Sequence, residues 1–289
     1  MTSALFEGFR DQFLGLGREG PAFDLEGRIR QRRQIYLDTT ATALMPEVVW
    51  RGLESYLTHA CANSHTEAHR GGRDTTSALE QSRRAIGELV GWAPDSDVVL
   101  FTANGATGAI NFLARALFPP ELRSILKRFP KGAPPELIGA LRGALGEDGQ
   151  HAIDPLLARP LVVTTRMEHH SNLLPWFEAV GRQNVRVVEV RSDGTLALED
   201  LERILRTEGT RVRLVAVTGV SNVTGIVNPV HRIAELSHDV GAELLVDGAQ
   251  WVPHEPVHLH TAGGGSVDYL EHSGHKLYAP RRPGALVRD

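Results

Sequence analysis

The chain has 289 residues, a net charge of −4 and 42% hydrophobic residues, enough apolar content for one large core, or one large and one small domain, and too much for a disordered chain. A balance so near neutrality gives no support for nucleic-acid binding, and its one cysteine, Cys61, excludes an internal disulfide and allows a cytosolic setting. No run approaches the ~18 apolar residues of a membrane span, and Glu7, Arg10 and Asp11 interrupt the first apolar stretch, so no signal-peptide core is expected.

Leu5, Phe6, Phe9, Phe13 and Leu16 share one helical face, which predicts an amphipathic helix over 4–16. Gly17, Gly20 and Pro21 mark a linker, and the basic cluster from Arg28 to Arg33 reads as a solvated face. Residues 1–34 are therefore taken as helix and linker, and 35–289 as the large domain. Strands are predicted at 98–101, 161–164, 185–190, 212–217 and 243–246, and helices at 107–117, 198–205 and 230–240. The proline-rich stretch 119–160 breaks this rhythm and predicts an inserted surface excursion, and Gly263 to Gly265 a flexible turn. The alternation implies an α/β fold with a mostly parallel sheet covered on both faces.

In such sheets ligands bind beyond the carboxyl ends of the strands, so those ends carry the functional reading. After 98–101 comes Thr102-Ala-Asn-Gly-Ala-Thr107, where Gly105 permits a close turn and Ala106 and Thr107 open a helix; this is an anion site or a plain N-cap. After 161–164 comes Glu168-His-His-Ser-Asn172, whose histidine pair is a metal half-site, a stacking surface or loop filler. After 212–217, Asn222 is a turn residue or a hydrogen-bond donor. After 243–246, Asp247 is a helix cap or the buried partner of a cation such as a pyridinium nitrogen. Finally, Lys276 lies between His275 and an apolar run, behind Ser273 and Gly274. A lysine held in a pocket loses hydration, its pKa falls, and its amine becomes a nucleophile toward aldehydes.

As a set, Tyr36-Leu-Asp-Thr-Thr-Ala-Thr42, Asn63-Ser-His65, Asn104-Gly-Ala-Thr-Gly-Ala-Ile-Asn111, Glu168-His-His-Ser-Asn-Leu-Leu-Pro-Trp176, Ser221-Asn-Val-Thr-Gly225, Asp247-Gly-Ala-Gln250 and Ser273-Gly-His-Lys276 resemble the class V aminotransferase group of fold-type I pyridoxal-phosphate (PLP) enzymes. The cysteine desulfurase and selenocysteine lyase branch is the nearest. The resemblance implies a PLP-binding large domain with a mixed, mostly parallel sheet, an amino-acid substrate, a homodimer and a cytoplasmic setting, without nucleic acid, membrane or metal. It also implies roles. Lys276 forms the internal aldimine and moves the substrate's α-proton, and His169 stacks on the ring, these two being the catalytic residues. Asp247 pairs with the pyridine nitrogen, and Ala249 packs on the opposite ring face. Gln250 and Asn222 lie on the ring-hydroxyl side. Ala106, Thr107, Ser273 and His275 hold the phosphate.

The family pattern continues beyond the lysine loop, where a small domain, a carboxylate-gripping arginine and, in desulfurases, a nucleophilic cysteine are found. The chain ends at Asp289, so the C-terminal small domain is expected to be missing, and Cys61 is read as structural. Arg281-Arg282-Pro283 stands where the family favours a glycine turn. Two further readings stay open: an aminotransferase for another amino acid, and a shortened PLP-binding chain without turnover. Metal hydrolysis is disfavoured, because in His65-Thr-Glu-Ala-His69 the glutamate falls one residue late for the zincin spacing, and a deaminase needs two more cysteines. His258 and His260 are expected to flank a strand.

Overall fold

The computed structural model describes residues 8–119, 124, 128, 134–140, 143–144, 160–261, 265–280 and 282–288. They form two compact units, one running to Arg84 with Gly274–Pro283 added, the other comprising Ala85–Ser273 and the segment from Gly284 onward.

In the first unit, β1 (Glu19–Phe23) and β2 (Ile29–Arg33) make an antiparallel hairpin with Glu19 opposite Arg33. Asp24 closes it by accepting from the Arg28 amide and from the Arg28 and Arg30 side chains. α1 (Glu47–His59) follows, and α2 (Arg70–Leu89) belongs to this unit as far as Arg84. The helix expected over 4–16 is helical at 8–10 only among the described residues, and turns replace it from Asp11 to Gly17. Gly15 and Gly17 take positive φ (88° and 77°), and Phe13 pairs with Pro46 instead of continuing the helix. Phe9 and Phe13 keep the ring contact that their spacing promised.

The second unit is built on a seven-stranded sheet. Its strands are β3 (Val98–Thr102), β4 (Leu161–Thr165), β5 (Val185–Val188), β6 (Val212–Thr218), β7 (Glu243–Asp247), β8 (Tyr269–Ser273) and β9 (Gly284–Arg288), in the order β3-β9-β8-β7-β6-β4-β5. β9 runs against both neighbours and every other pairing is parallel. The mostly parallel mixed sheet is therefore as the sequence implies. Parallel strands covered on both faces read as unbroken apolar runs, and in β6 six of seven residues are buried.

α3 (Gly105–Leu117) and α4 (Leu174–Val180) cover one face. Ile110, Leu113 and Trp176 meet Val162, Leu214, Leu245 and Leu286 there in one core. α5 (Leu198–Glu208) packs on β5, and α6 (Val230–His238) on β6 and β7.

Strand β5 stops two residues short of the expected 190; Val190 instead bridges to Leu196 across the Asp193–Gly194 turn. His258 and His260 flank no strand: the chain between them is irregular and is held by the Leu259 amide on the Val90 carbonyl. Most of the 119–160 excursion, and 263–264 of the glycine turn, lie outside the described residues.

Because β9 is antiparallel, the carboxyl ends of β3, β8, β7, β6 and β4 share one edge with the start of β9. Thr102 pairs with Gly284, which pairs with Ser273. Further along, Glu271 pairs with Asp247, and Asp247 with Thr218.

Candidate functional site

At the end of β3 the chain turns through two left-handed residues, Asn104 (φ 64°) and Gly105 (φ 61°), and enters α3. Asparagine and glycine are the residues that adopt this conformation at low cost. The turn aims the first amides of α3 at the sheet edge, where the helix dipole adds positive potential. The buried Ala106 amide donates to Ser273 Oγ at 2.9 Å. Beside them, Thr102 Oγ1 is buried without a hydrogen-bond partner. Gly284 lies directly under the start of α3; a Cβ there would stand 2.3 Å from the Gly105 carbonyl oxygen and 2.6 Å from Thr102 Oγ1. The arrangement is a cradle of donors with one orphaned hydroxyl, suited to an anion's oxygens.

Asp247 ends β7 and is 4% exposed. Its Oδ1 accepts from the Ala249 amide at 3.0 Å, and its main-chain oxygen from the Gly219 amide at 2.8 Å. Ser273 stands one strand over and two residues beyond the Asp247–Glu271 pair, a separation of about 8 Å from strand spacing and rise. Ala249 and Gln250 are buried after it, ahead of the helical turn Trp251–His254. A buried carboxylate held by a backbone amide favours a cationic partner.

Beyond β4 the turn 168–172 presents His169. Its Nδ1 lies 2.7 Å from Ser171 Oγ and accepts from the Ser171 amide at 3.2 Å, so a neutral ring carries its proton on Nε2. The exposed imidazole and Thr107 line the same cavity of about 440 Å³, with His170, Leu174 and Pro175.

Glu168, quoted in the sequence pattern but given no role, is the residue that sequence reasoning missed. Oε1 accepts from the Thr218 amide at 2.9 Å and lies 2.6 Å from Thr165 Oγ1, while Oε2 accepts from Asn172 Nδ2 at 2.6 Å. The residue is half-buried but its carboxyl group is enclosed; burial, with Asp247's charge adding to it, pushes its pKa up to about 8 against the pull of these hydrogen bonds. The signal in the sequence was an acid three residues past a buried strand. Asn222 is exposed on the Ser221–Gly225 turn, which Ser221 Oγ closes by accepting from the Val223 and Thr224 amides.

Lys276 and His275 fall in the first unit, in the 3-10 turn Gly274–Lys276, and both are half-buried. Gly274 anchors the turn: its carbonyl accepts from the Leu277 and Ala279 amides, and its own amide donates to Pro283. The His275 carbonyl accepts from Ala43 at 3.0 Å. Burial, then the positive charges of Lys276 and Arg282, hold the His275 imidazole below its ordinary range. Tyr278, two residues on, takes φ 65°, a conformation a bulky side chain rarely adopts. Among the described residues no three His, Cys, Asp or Glu come together as a metal would require; His69 Nδ1 accepts instead from the Gly72 amide at 3.1 Å. No helix there is long and apolar enough to cross a membrane.

The sheet order, the crossover helices and the strand-end site define the large-domain architecture of fold-type I PLP-dependent transferases. The chain belongs to the class-V aminotransferase family, which it matches over residues 35–126 and 150–287. It is 32% identical over 265 residues to a probable cysteine desulfurase of Mycolicibacterium paratuberculosis, covering 91% of this chain and 32% of that protein. It is 32% identical over 254 residues to a probable cysteine desulfurase of Halalkalibacterium halodurans, covering 87% and 52%. The apo structure of a cysteine desulfurase from Thermococcus onnurineus superposes with a TM-score of 0.63 at 26% identity, covering 87% of this chain and 52% of that one. The Escherichia coli cysteine desulfurase CsdA shares the fold, with a TM-score of 0.65 at 24% identity over 98% of this chain and 57% of that one. The chain thus spans from about a third to about half the length of the curated relatives it matches.

Proposed function

We propose that this chain binds pyridoxal 5'-phosphate and acts on an amino acid, most like the cysteine desulfurases and selenocysteine lyases, as a cytoplasmic homodimer whose residues 35–289 are the cofactor-binding domain. The observation that carries the reading is one sheet edge holding both an anion cradle with an orphaned Thr102 hydroxyl and, one strand from Ser273, the buried Asp247 carboxylate. That pairing suits a phosphorylated ring with a basic nitrogen. The names of the relatives supply the branch.

Bound there, the cofactor supplies an electron sink for bonds at an amino acid's α-carbon. The residues divide the remaining work. The Ala106 amide, Thr107, Ser273 and His275 hold the phosphate, with the start of α3 behind them. Asp247 keeps a proton on the ring nitrogen, as a buried carboxylate beside a base does. His169 would cover one ring face and Ala249 the other, with Gln250 and Asn222 on the ring-hydroxyl side. The Lys276 amine would be the attachment point and the base that takes the α-proton.

The test is reconstitution with PLP, removal of the excess, and a visible spectrum. The expected result is a retained visible band that borohydride bleaches and Lys276→Ala abolishes. No band in the wild-type chain overturns the reading. Alanine release from cysteine, with the sulfur recovered as sulfide when an added thiol reductant is present, then marks a desulfurase. Amino transfer to a 2-oxo acid without sulfide marks an aminotransferase, and a band with neither marks a binding protein.

A further inference from the structure

We propose that Glu168 is a positioning residue of this site: one carboxyl group pins the turn that carries His169 to the ends of β4 and β6, beside Asp247. The proposal rests on the cofactor reading for the roles of His169 and Asp247, and on geometry alone for the role of Glu168.

Two of its partners can only donate. Thr218 offers a main-chain N–H at 2.9 Å to Oε1. Asn172 offers Nδ2 at 2.6 Å to Oε2, and its amide cannot be turned round, because Trp176 Nε1, a donor only, occupies Oδ1 at 3.1 Å. The third partner, Thr165 Oγ1 at 2.6 Å, already accepts the Met167 amide at 3.1 Å and has one lone pair and one hydrogen left. It therefore donates to an ionised Glu168 or accepts from a protonated one. A carboxylic acid is the group that meets all three demands in either state, since the oxygen bearing its proton still accepts from Thr218. An amide cannot, because its nitrogen would face a donor at Thr218 or at Asn172.

The setting favours the protonated state. The carboxyl is enclosed, and Asp247 on β7 is the charged group that acts on it, in the direction of retaining the proton. Arg166, the nearest cation in sequence, is committed to Glu189 by two hydrogen bonds on the surface. Its three hydrogen bonds make Glu168 a mechanical latch. Thr218 is in register with Asp247, and Asn172 closes the turn whose first histidine lines the cavity.

The experiment reads the carboxyl and the latch directly in the full chain without cofactor. Infrared difference spectroscopy across pH 5–10 in isotope-labelled protein is expected to show a protonated carboxyl C=O stretch that persists through neutral pH, titrates in the region of pH 8, and is absent in Glu168→Gln. Asp247→Asn is expected to move that titration downward. Amide hydrogen exchange at Thr218 is expected to quicken by about tenfold in Glu168→Ala, which removes the acceptor outright, while Thr165→Ser, which keeps the hydroxyl, leaves it unchanged. A neutral-pH spectrum without this band, a band that survives Glu168→Gln, or unchanged Thr218 exchange overturns the proposal. PLP retention, measured separately by the visible band, reports on the cofactor reading alone. A chain that fails to hold PLP yet shows the Glu168 proton refutes only that reading.

Discussion

Gly284→Ala tests the cradle most directly. The added methyl would sit 2.3 Å from the Gly105 carbonyl oxygen, 2.6 Å from its carbonyl carbon and 2.6 Å from Thr102 Oγ1. Two of these atoms are backbone, at the first turn of a helix whose next residues, Ala106, Ala109 and Ile110, are buried. Neither side can yield by rotating a side chain, so α3 must lift by about 1 Å to restore van der Waals contact, which in a packed core costs about 1–3 kcal/mol. At about 2–4 °C per kcal/mol for a domain of this size, the melting midpoint should fall by roughly 2–12 °C. The same displacement pulls the Ala106 amide from Ser273, so affinity for PLP, followed by the visible band, should drop by about tenfold or more. Gly52→Ala is the control: it adds a methyl in α1 with nothing within 4 Å and should stabilise by up to about 1 kcal/mol through helix propensity. Thermal melts of both variants with PLP titrations decide the matter. If Gly284→Ala melts with the wild type and holds PLP as tightly, the close approach of α3 to β9 is wrong, and the cradle with it.

Glu168 should give stability an alkaline limb. Its folded pKa is raised to about 8 from the ordinary 4.5, so its favourable contribution is complete below about pH 4.5, shrinks as pH rises toward 8 and is flat beyond; Glu168→Gln should flatten that limb in urea midpoints taken across pH. His272 should give an acid limb. Both ring nitrogens are buried without hydrogen-bond partners, and burial lowers its pKa to about 4 from 6.5. Its contribution is therefore complete above about pH 6.5 and is lost as pH falls toward 4. His272→Phe removes two orphaned nitrogens at similar volume and should stabilise by about 1–3 kcal/mol at neutral pH while weakening the acid limb, read by the same denaturant series. Trp176→Phe should cost about 2–4 kcal/mol by chemical denaturation, because it opens a cavity in a fully buried position and leaves Asn172 Oδ1 without its donor.

The parts of the fold that were legible are those where periodicity and burial agree. β4, β6 and β7 carry the buried apolar runs Leu161–Val163, Leu214–Val217 and Leu244–Val246, and they stand within a residue of where the sequence puts them. β8 was not legible as a strand, because Glu271 and His272, both buried, interrupt its apolar pattern. β9 is five residues behind an Arg-Arg-Pro run and takes its place from pairing with two distant strands. α1 keeps no buried residue and α2 opens on Arg-Gly-Gly, and neither is among the helices the sequence reading assigns. At the sheet edge, the strand-end rule singled out Ala106 and Asp247, whereas Ser273 was picked out by the lysine motif alone. Glu168 was not legible, since its role depends on Thr218, fifty residues away, being brought beside it by the parallel pairing of β4 with β6.

That dependence explains how the edge is made. Three neighbouring strands, β6, β7 and β8, each end on a polar residue followed by glycine: Thr218-Gly219, Asp247-Gly248 and Ser273-Gly274. The polar residue delivers a group to the edge while its strand is still fixed by the sheet. The glycine then lets the chain leave through a gap that a side chain would fill: a Cβ on Gly219 would meet the Trp251 side chain at 2.9 Å, and one on Gly248 would meet Leu270 Cδ1 at 2.7 Å and the Glu271 carbonyl at 2.9 Å. Main-chain amides immediately beyond the strands then lock the ends together, Gly219 onto the Asp247 carbonyl and Gly248 onto the Glu271 carbonyl, both at 2.8 Å. Binding groups set this way owe their positions to sheet register rather than to loop packing, which is why the edge can hold a carboxylate and an anion cradle at a fixed spacing before any ligand arrives.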